Sequence, residues 1–393
     1  MTDRDFMRRA IALAARGEES VNPNPMVGAV IVKDGKIIGE GWHKKYGGLH
    51  AEREAIASLR EPAAGATIYV TLEPCCHYGK QPPCTLAIIE HGISRVVIGS
   101  RDPNPKVAGG GVKILREHGI TVEEDFMREE CDALNPFFFH YITTGTPYVR
   151  MKYAMTADGK IATKTGASKW ISGEASRALV HRWRGACMGI MAGIGTVLAD
   201  DPMLNCRAEG GRDPVRIICD TNLRIPGSSQ ICRTAEKCAT ILVCGFPWLR
   251  EGKLQKTDLP ESGLCLEQAE RSSRILLFLE HGITVYNLPD PAGKGVDLKK
   301  LMKALGSEEI DSVLLEGGGT LNESALRAGI VQEVDVFVAP KIFGGKARSP
   351  VEGEGVSLPD EAAGLIMLSA ERIGEDLLIR YGLKESGNVY GDH

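Results

Sequence analysis

Apolar residues along this chain recur in blocks whose spacing switches between a strand-like period of two and a helix-like period near four. The first block, FMRRAIALAAR, has helical spacing; Asp3 is placed to cap it and Gly17 to end it. VGAVIVK and KIIGEG flank Asp34-Gly35, a strong short hairpin signal. A helix is predicted over 51–60, stopped by Pro62, and then the apolar strand ATIYVTL, which delivers Cys75 at its C-terminal end. Helix 84–91, strand RVVIGS at 95–100, helix 112–118 and strand ITVEE follow. DFMREECDALNPFFFHYITTGTP reads as a helix and a short linker, which puts a domain boundary near Gly145-Thr146-Pro147.

Beyond that boundary the alternation restarts. VRMKYAMT and KIAT flank the turn signal Asp158-Gly159, and a helix through EASRALVHRWRG leads to strand CMGIMAG and a short helix TVLAD. Strands VRIICD and ATILVCG come next. The stretch from about 246 to 271 is polar, holds Pro247 and Pro260, and shows little periodicity, so it is expected to be a surface insertion. ITVYNLP, helix 297–305, strand SVLLEGGG, helix 320–328, strand EVDVFVAPK and the pair GLIMLSAERI and EDLLIRYGL close the chain. Strands and helices alternating at these lengths predict the α/β class in both domains, 1–145 and 146–393. Ligands are then expected beyond the strand C-termini.

Composition narrows the function classes. The net charge of −4 over 393 residues argues against a surface for duplex nucleic acid. No apolar stretch reaches the ~20 residues needed to span a bilayer. The eleven cysteines are scattered, and MTDRDFMRRA has no apolar signal-peptide core, so reduced thiols in the cytoplasm are expected.

Those thiols matter because of where two of them lie. His50-Ala51-Glu52, Pro74-Cys75 and Cys84 supply an imidazole, two thiolates and a carboxylate. Three such ligands hold zinc with one position left for water, and the carboxylate can move protons as general acid and base. Zinc deaminases use this combination, with the Glu outside the coordination sphere, but with two residues between their cysteines. Here CHYGKQPP separates Cys75 from Cys84. A structural zinc would need a fourth protein ligand, and Cys76 and His77 are near enough in sequence to offer one. The flanks favour catalysis: His50 opens AEREAIASLR, and Pro82-Pro83 places Cys84 at the start of TLAIIEHG, where a helix N-terminus favours the thiolate.

In the second half, Glu316-Gly317-Gly318-Gly319-Thr320-Leu321 sits between a strand and a helix, where glycines admit close backbone approach and the helix start attracts an anion. It is neither a Walker loop nor a GxGxxG fingerprint. Gly193-Ile194-Gly195-Thr196, the Asp200-Asp201 pair and Arg207 make a second such cluster. From these residues alone, a nucleotide or sugar phosphate is the reading for this half; a plain strand–helix turn is the alternative.

Taken together, the chain resembles the bifunctional deaminase/reductase family of riboflavin biosynthesis over essentially its full length. The resemblance rests on NPNPMVGAV (22–30), HAE (50–52) and TLEPCCHYGKQPPC (71–84) in the first half. In the second it rests on KYAMTADGKIA (152–162), SKWIS (168–172), HRWR (181–184), GIGTVLADDPML (193–204), DTNLRIP (220–226) and EGGGTL (316–321). It implies a cytidine-deaminase-like α/β/α sandwich followed by a dihydrofolate-reductase-like α/β domain. The implied chemistry is zinc-dependent deamination of a pyrimidine ribotide phosphate, then NADPH-dependent reduction of its ribosyl group to ribityl. His50, Cys75 and Cys84 match the zinc ligands and Glu52 the proton shuttle. Asn24, His43, His77 and Lys80 match deaminase substrate contacts. Ala154, Trp170, Thr196, Asp200, Asn222 and the run Gly318, Gly319, Thr320, Leu321, Asn322, Glu323, Ser324 match NADPH positions. Ser168, Arg184, Leu204, Arg207 and Glu316 match reductase substrate contacts, with Lys152 near the reacting ribose; Arg184 and Arg207 would suit a phosphate. The partners implied are this small molecule and further copies of the chain, with neither nucleic acid nor membrane.

Overall fold

The computed structural model describes residues 1–78, 81–104, 107–260, 262–293 and 295–384. The chain divides into two compact units, one ending at Gly145 and the other starting at Thr146.

In the first unit, α1 (Asp3–Ala14) precedes the hairpin β1 (Gly28–Lys33) and β2 (Lys36–Trp42). Then come α2 (Ala51–Ala57), β3 (Thr67–Leu72), α3 (Cys84–Glu90), β4 (Arg95–Ser100), α4 (Gly110–Glu117), β5 (Thr121–Glu123), α5 (Arg128–Asp132) and α6 (Pro136–Thr144). The sheet runs β2-β1-β3-β4-β5, with β1 antiparallel to both neighbours and β3, β4 and β5 parallel. Period-two alternation splits each strand between two faces. Val30, Val32, Tyr69 and Val97 pack under Phe6, Met7, Ala10 and Leu13 of α1. Ala29, Ile31, Ile68, Val70, Val96 and Ile98 pack against α2, α3 and α4 through Ala51, Ala55, Ile88, Val112 and Leu115. This is a three-layer sandwich. The helix start is one residue earlier than expected: Thr2, not Asp3, is the N-cap, sharing a capping box with Asp5. A Thr hydroxyl reaches the third amide as well as an Asp does, so the sequence alone could not rank the two.

Where α2 crosses the hairpin, the backbones almost touch. A Cβ added at Gly41 would lie 2.3 Å from the Ala55 nitrogen and 2.5 Å from the Ala51 carbonyl oxygen. Backbone cannot yield there without displacing the helix that carries His50 and Glu52. Gly41→Ala is therefore expected to destabilise the protein by about 3 kcal/mol and lower its zinc content, read by urea unfolding and metal analysis. An unshifted urea midpoint would contradict this.

The second unit is a ten-stranded sheet. Its elements are β6 (Tyr148–Thr156), α7 (Glu174–Ala186), β7 (Gly189–Gly193), α8 (Ile194–Asp200), β8 (Val215–Cys219), α9 (Gln230–Arg233), β9 (Thr240–Cys244) and β10 (Gly252–Lys253). They continue with α10 (Leu266–Glu280), β11 (Thr284–Asn287), α11 (Leu298–Ser307), β12 (Ser312–Leu315), α12 (Gly319–Arg327), β13 (Glu333–Ala339), β14 (Leu365–Ile373) and β15 (Asp376–Leu383). The strand order is β10-β11-β9-β8-β7-β12-β6-β13-β15-β14, parallel from β11 through β13 and antiparallel at both margins. One face packs Met151, Met191, Ile217, Val313 and Val336 against α11 and α12; the other packs Ile190, Ile218, Leu242 and Val285 against Val197, Ile231, Ile275 and Phe278. The near-continuous apolar runs of the central strands follow from burial on both faces.

Two expectations need correction here. KIAT is not a strand: β6 ends at Thr156 and the chain turns through Asp158-Gly159. Nor is 246–271 wholly on the surface. Phe246, Leu249 and Leu254 are buried in the core beneath β9, and the Asn287 side chain hydrogen-bonds the backbone of Phe246 and Leu249. Its last residues already belong to α10, whose apolar contacts, Ile275 and Phe278, lie beyond 271. A window closing at 271 misses the helical period.

Candidate active sites

The candidate ligand cluster of the first unit is assembled where the chain leaving β3 meets the N-terminal ends of α2 and α3. His50 is the N-cap of α2, Cys84 is the first residue of α3, and Cys75 follows β3. Their donor atoms all lie within 4.8 Å of one another. His50 Nδ1 is 3.5 Å from Cys75 Sγ and 3.4 Å from Cys84 Sγ. A tetrahedral zinc with bonds of about 2.0 Å to nitrogen and 2.3 Å to sulfur requires N···S edges of about 3.5 Å, so these residues fit the ion. The Cys84 N–H also donates to Cys75 Sγ at 3.3 Å. A proton shared from the Cys84 thiol, together with His50, pulls Cys75 well below the ordinary thiol range. That sharing, with burial, pushes Cys84 up. A cation would take the place of the shared proton. Cys76 lies outside the cluster and faces Val107 and Gly110.

Glu52 stands two residues after His50, in the first turn of α2, and is 3% exposed. Burial, and then the neighbouring Cys75 thiolate, raise its carboxyl to about 6 in the protein without a cation. A carboxyl poised there can both accept and release a proton near neutrality.

The support around these ligands is built from residues that the sequence did not mark. Glu73 is buried and its carboxylate accepts the Gly109, Gly111 and Val112 N–H groups at the start of α4, which holds the Glu73-Pro74-Cys75 turn. The sole signal was an acid ahead of Pro-Cys and a glycine run ahead of a helix. Arg53 donates to the Pro82 and Pro83 carbonyls at 3.1 and 3.0 Å, tying α2 to the residues that present Cys84.

Of the expected substrate contacts, Asn24 Nδ2 donates to His43 Nε2 at 3.1 Å, while His43 Nδ1 meets the Leu49 carbonyl at 2.9 Å. His43 is 2% exposed, burial lowers its pKa, and its ring meets His50 edge-on at 5.6 Å. His43 therefore braces both Asn24 and His50. His77 Nδ1 is buried with no hydrogen-bond partner among the described residues. Lys80 lies outside the described residues.

The second unit carries a cleft of about 1160 Å³ along the C-terminal ends of its parallel strands. Ala154, Ser168, Thr196, Asp200, Glu316 and the run 317–324 line it. Gly317 and Gly318 have φ of +86° and +91°, a region costly for any other residue, so the turn after β12 depends on them. Asn322 is buried at 2% exposure and donates to the Pro350 carbonyl, and the Thr196 hydroxyl donates to the Gly317 carbonyl. The first amides of α12 thus face the cleft on a fixed turn, which suits a phosphate.

Lys152 and Glu316 sit side by side at one end. Glu316 takes both Nε and Nη2 of Arg184, at 2.5 and 2.9 Å, and has Lys152 Nζ at 3.7 Å. Burial opposes ionisation of Glu316, but Arg184 and Lys152 outweigh it and hold the carboxyl down at about 2. Burial lowers Lys152, against the pull of Glu316. Arg184 also donates Nη1 to the Asn205 carbonyl, so all three of its nitrogens are engaged. Arg207, exposed, retains a guanidinium to offer an anion. Leu204 is buried at 4% exposure with φ of +49°, Trp170 is 61% exposed beneath the Arg177 guanidinium, and Asn222 is exposed on the turn after β8. None of Arg184, Leu204, Arg207, Trp170 and Asn222 lines the cleft, whereas Lys299, Arg348 and Arg224, the last within the DTNLRIP motif but given no role there, do.

Comparison with known proteins finds relatives of both units. Residues 1–100 match the cytidine and deoxycytidylate deaminase zinc-binding region, and residues 147–379 match the RibD C-terminal domain. The riboflavin biosynthesis protein RibD of Actinobacillus pleuropneumoniae is 51% identical over 97% of this chain and 95% of its own. The solved RibD structure from Acinetobacter baumannii superposes with a TM-score of 0.80 at 35% identity, covering 98% of this chain and 99% of that one. The diaminohydroxyphosphoribosylaminopyrimidine deaminase/5-amino-6-(5-phosphoribosylamino)uracil reductase of Thermotoga maritima gives 0.80 at 39% identity, covering 96% and 98%. With a zinc-binding deaminase region and a reductase domain in one continuous match, the chain belongs to the RibD family, the bifunctional deaminase/reductases of riboflavin biosynthesis.

Proposed function

We propose that the first unit deaminates 2,5-diamino-6-ribosylamino-4(3H)-pyrimidinone 5′-phosphate and that the second reduces the deaminated product with NADPH, giving 5-amino-6-ribitylamino-2,4-pyrimidinedione 5′-phosphate. The observation that carries the reading is the zinc-spaced trio His50, Cys75 and Cys84 with buried Glu52 beside it. Zinc held there would act as a Lewis acid that makes water acidic near neutrality. Glu52 accepts the proton of the attacking water and returns it to the departing ring amine. Asn24, oriented by His43, and His77, with its orphaned nitrogen, bind the pyrimidine; Lys80 is assigned to the phosphate.

In the second unit NADPH supplies the hydride, and the protein aligns it with the sugar C1. The amides of residues 318–324 bind its phosphates, with Ala154, Thr196 and Asp200 along the cleft and Trp170 and Asn222 beside it. Glu316 orients Lys152 toward the ribose, Arg184 holds Glu316, and Ser168, Leu204 and Arg207 complete the substrate side, with Arg207 meeting the phosphate. We also place the protein in the cytoplasm, a reading supported by cysteines scattered along a long chain. Self-association is supported by edge strand β14, which exposes Ile366, Met367 and Leu368.

The metal assignment has a direct test. Cys76→Ser should keep about one zinc per chain, whereas Cys75→Ser should lose most of it, measured on purified protein by metal analysis. A Cys76→Ser protein that emptied while Cys75→Ser stayed loaded would overturn the ligand set.

A further inference from the structure

We propose that Arg224 reads the 2′-phosphate of the cofactor and makes this protein choose NADPH over NADH; this deepens the NADPH reading above and rests on it. Leu315 pairs with Met151 on one side and Met191 on the other, and Gly193 pairs with Cys219, so β6, β12, β7 and β8 end at one edge in that order. Three inter-strand steps of about 4.8 Å separate the β6 end from the β8 end by about 14 Å. Lys152 and Glu316 occupy the β6 and β12 end, and the glycine turn before α12 lies next to it. A dinucleotide with its phosphates on that turn and its reacting ring near Lys152 must lay its adenosine toward β8.

The β8 end has the chemistry of a phosphate reader. Thr221, Arg224 and Lys299 line the cleft there. In dinucleotide sites an acid after a strand takes the ribose 2′-hydroxyl, whereas an arginine takes the 2′-phosphate. The acid after β8 is Asp220, but it is 0% exposed and its Oδ2 accepts the Ile225 N–H at 2.8 Å, inside its own turn. Arg224 is the cation that turn presents outward, into the cleft: its side chain is 55% exposed, with Asp220 Oδ1 3.9 Å from Nε. Its outer guanidinium nitrogens can meet a phosphate as a fork. Asp290 and Asp297 line the same end, each accepting a backbone N–H, from Ala292 and Lys300. Without Arg224 a 2′-phosphate would face these two carboxylates, with Lys299 the neighbouring cation among the described residues that line this end.

Equilibrium titration with adenosine 2′,5′-bisphosphate and with 5′-AMP separates the phosphate from the rest of the nucleotide. The parent should bind the bisphosphate more tightly. Arg224→Ala should weaken bisphosphate binding about 10–100-fold and leave 5′-AMP within about twofold, because one charge-assisted contact is removed. In steady-state reduction the same variant should raise KM for NADPH and leave NADH unchanged. Bisphosphate discrimination that survives Arg224→Ala, or that is lost instead in Lys299→Ala, would overturn the assignment to Arg224. A parent that binds the two nucleotides equally and uses NADH as well as NADPH would overturn the NADPH reading itself.

Discussion

Glu52→Gln is expected to keep its zinc and its fold and to lose deamination by about 10²–10⁴-fold, the range a positioned acid–base group contributes. Gln fills the same buried space but can neither accept nor return the proton. Burial raises the Glu52 carboxyl to about 6 because a charge there is costly, so a neutral amide adds no desolvation penalty. The reductase cleft belongs to the other unit and contains no part of the zinc cluster. The variant should therefore still reduce the already deaminated substrate with NADPH at near the parental rate. Both half-reactions are to be followed separately on one preparation. Undiminished deamination would remove Glu52 from the mechanism.

The second large effect is expected at Glu316. Glu316→Gln leaves Arg184 and Lys152 without the carboxylate both share, and reduction should fall by more than about 10²-fold while deamination continues. The stability effect has a definite pH dependence. The carboxyl is held at about 2, against an ordinary 4.5, and a depressed carboxyl contributes stability that is fully present above the ordinary value and lost as pH falls through the depressed one. That difference corresponds to about 3 kcal/mol. The gap between parent and variant in urea should thus be constant from about pH 7 to 5 and should shrink steadily below about 4.5. A gap that widens on acidification would contradict the assignment of the charge.

The grouping of His50, Cys75 and Cys84 was legible in the sequence because each is tied to a local signal. His50 and Cys84 begin helices and Cys75 follows a strand, so roughly placed element boundaries were enough. The glycine turn at 317–318 was legible for the same reason. What escaped depends on contacts between distant parts of the chain. Arg184 and Glu316 are 132 positions apart, and nothing near either one shows that the guanidinium meets a carboxylate rather than a phosphate. Glu73 looked like a spacer before Pro-Cys until the start of α4 folded onto it. Asp220 and Arg224 look interchangeable as polar loop residues; only the turn shows that one faces inward and the other out. In the 246–271 stretch, three buried apolar residues hold no period because an irregular loop, pinned by Asn287, carries them into the core.

The central claim is that two independent sites in one chain act in succession. Mixing purified Glu52→Gln and Glu316→Gln proteins, each inactive for the overall conversion, tests it most directly. With the diamino substrate phosphate, zinc and NADPH, the mixture should form the ribityl product, because the second variant deaminates and the first reduces what it releases. A mixture as inactive as its components, from variants that each pass their own half-reaction, would contradict two separable sites.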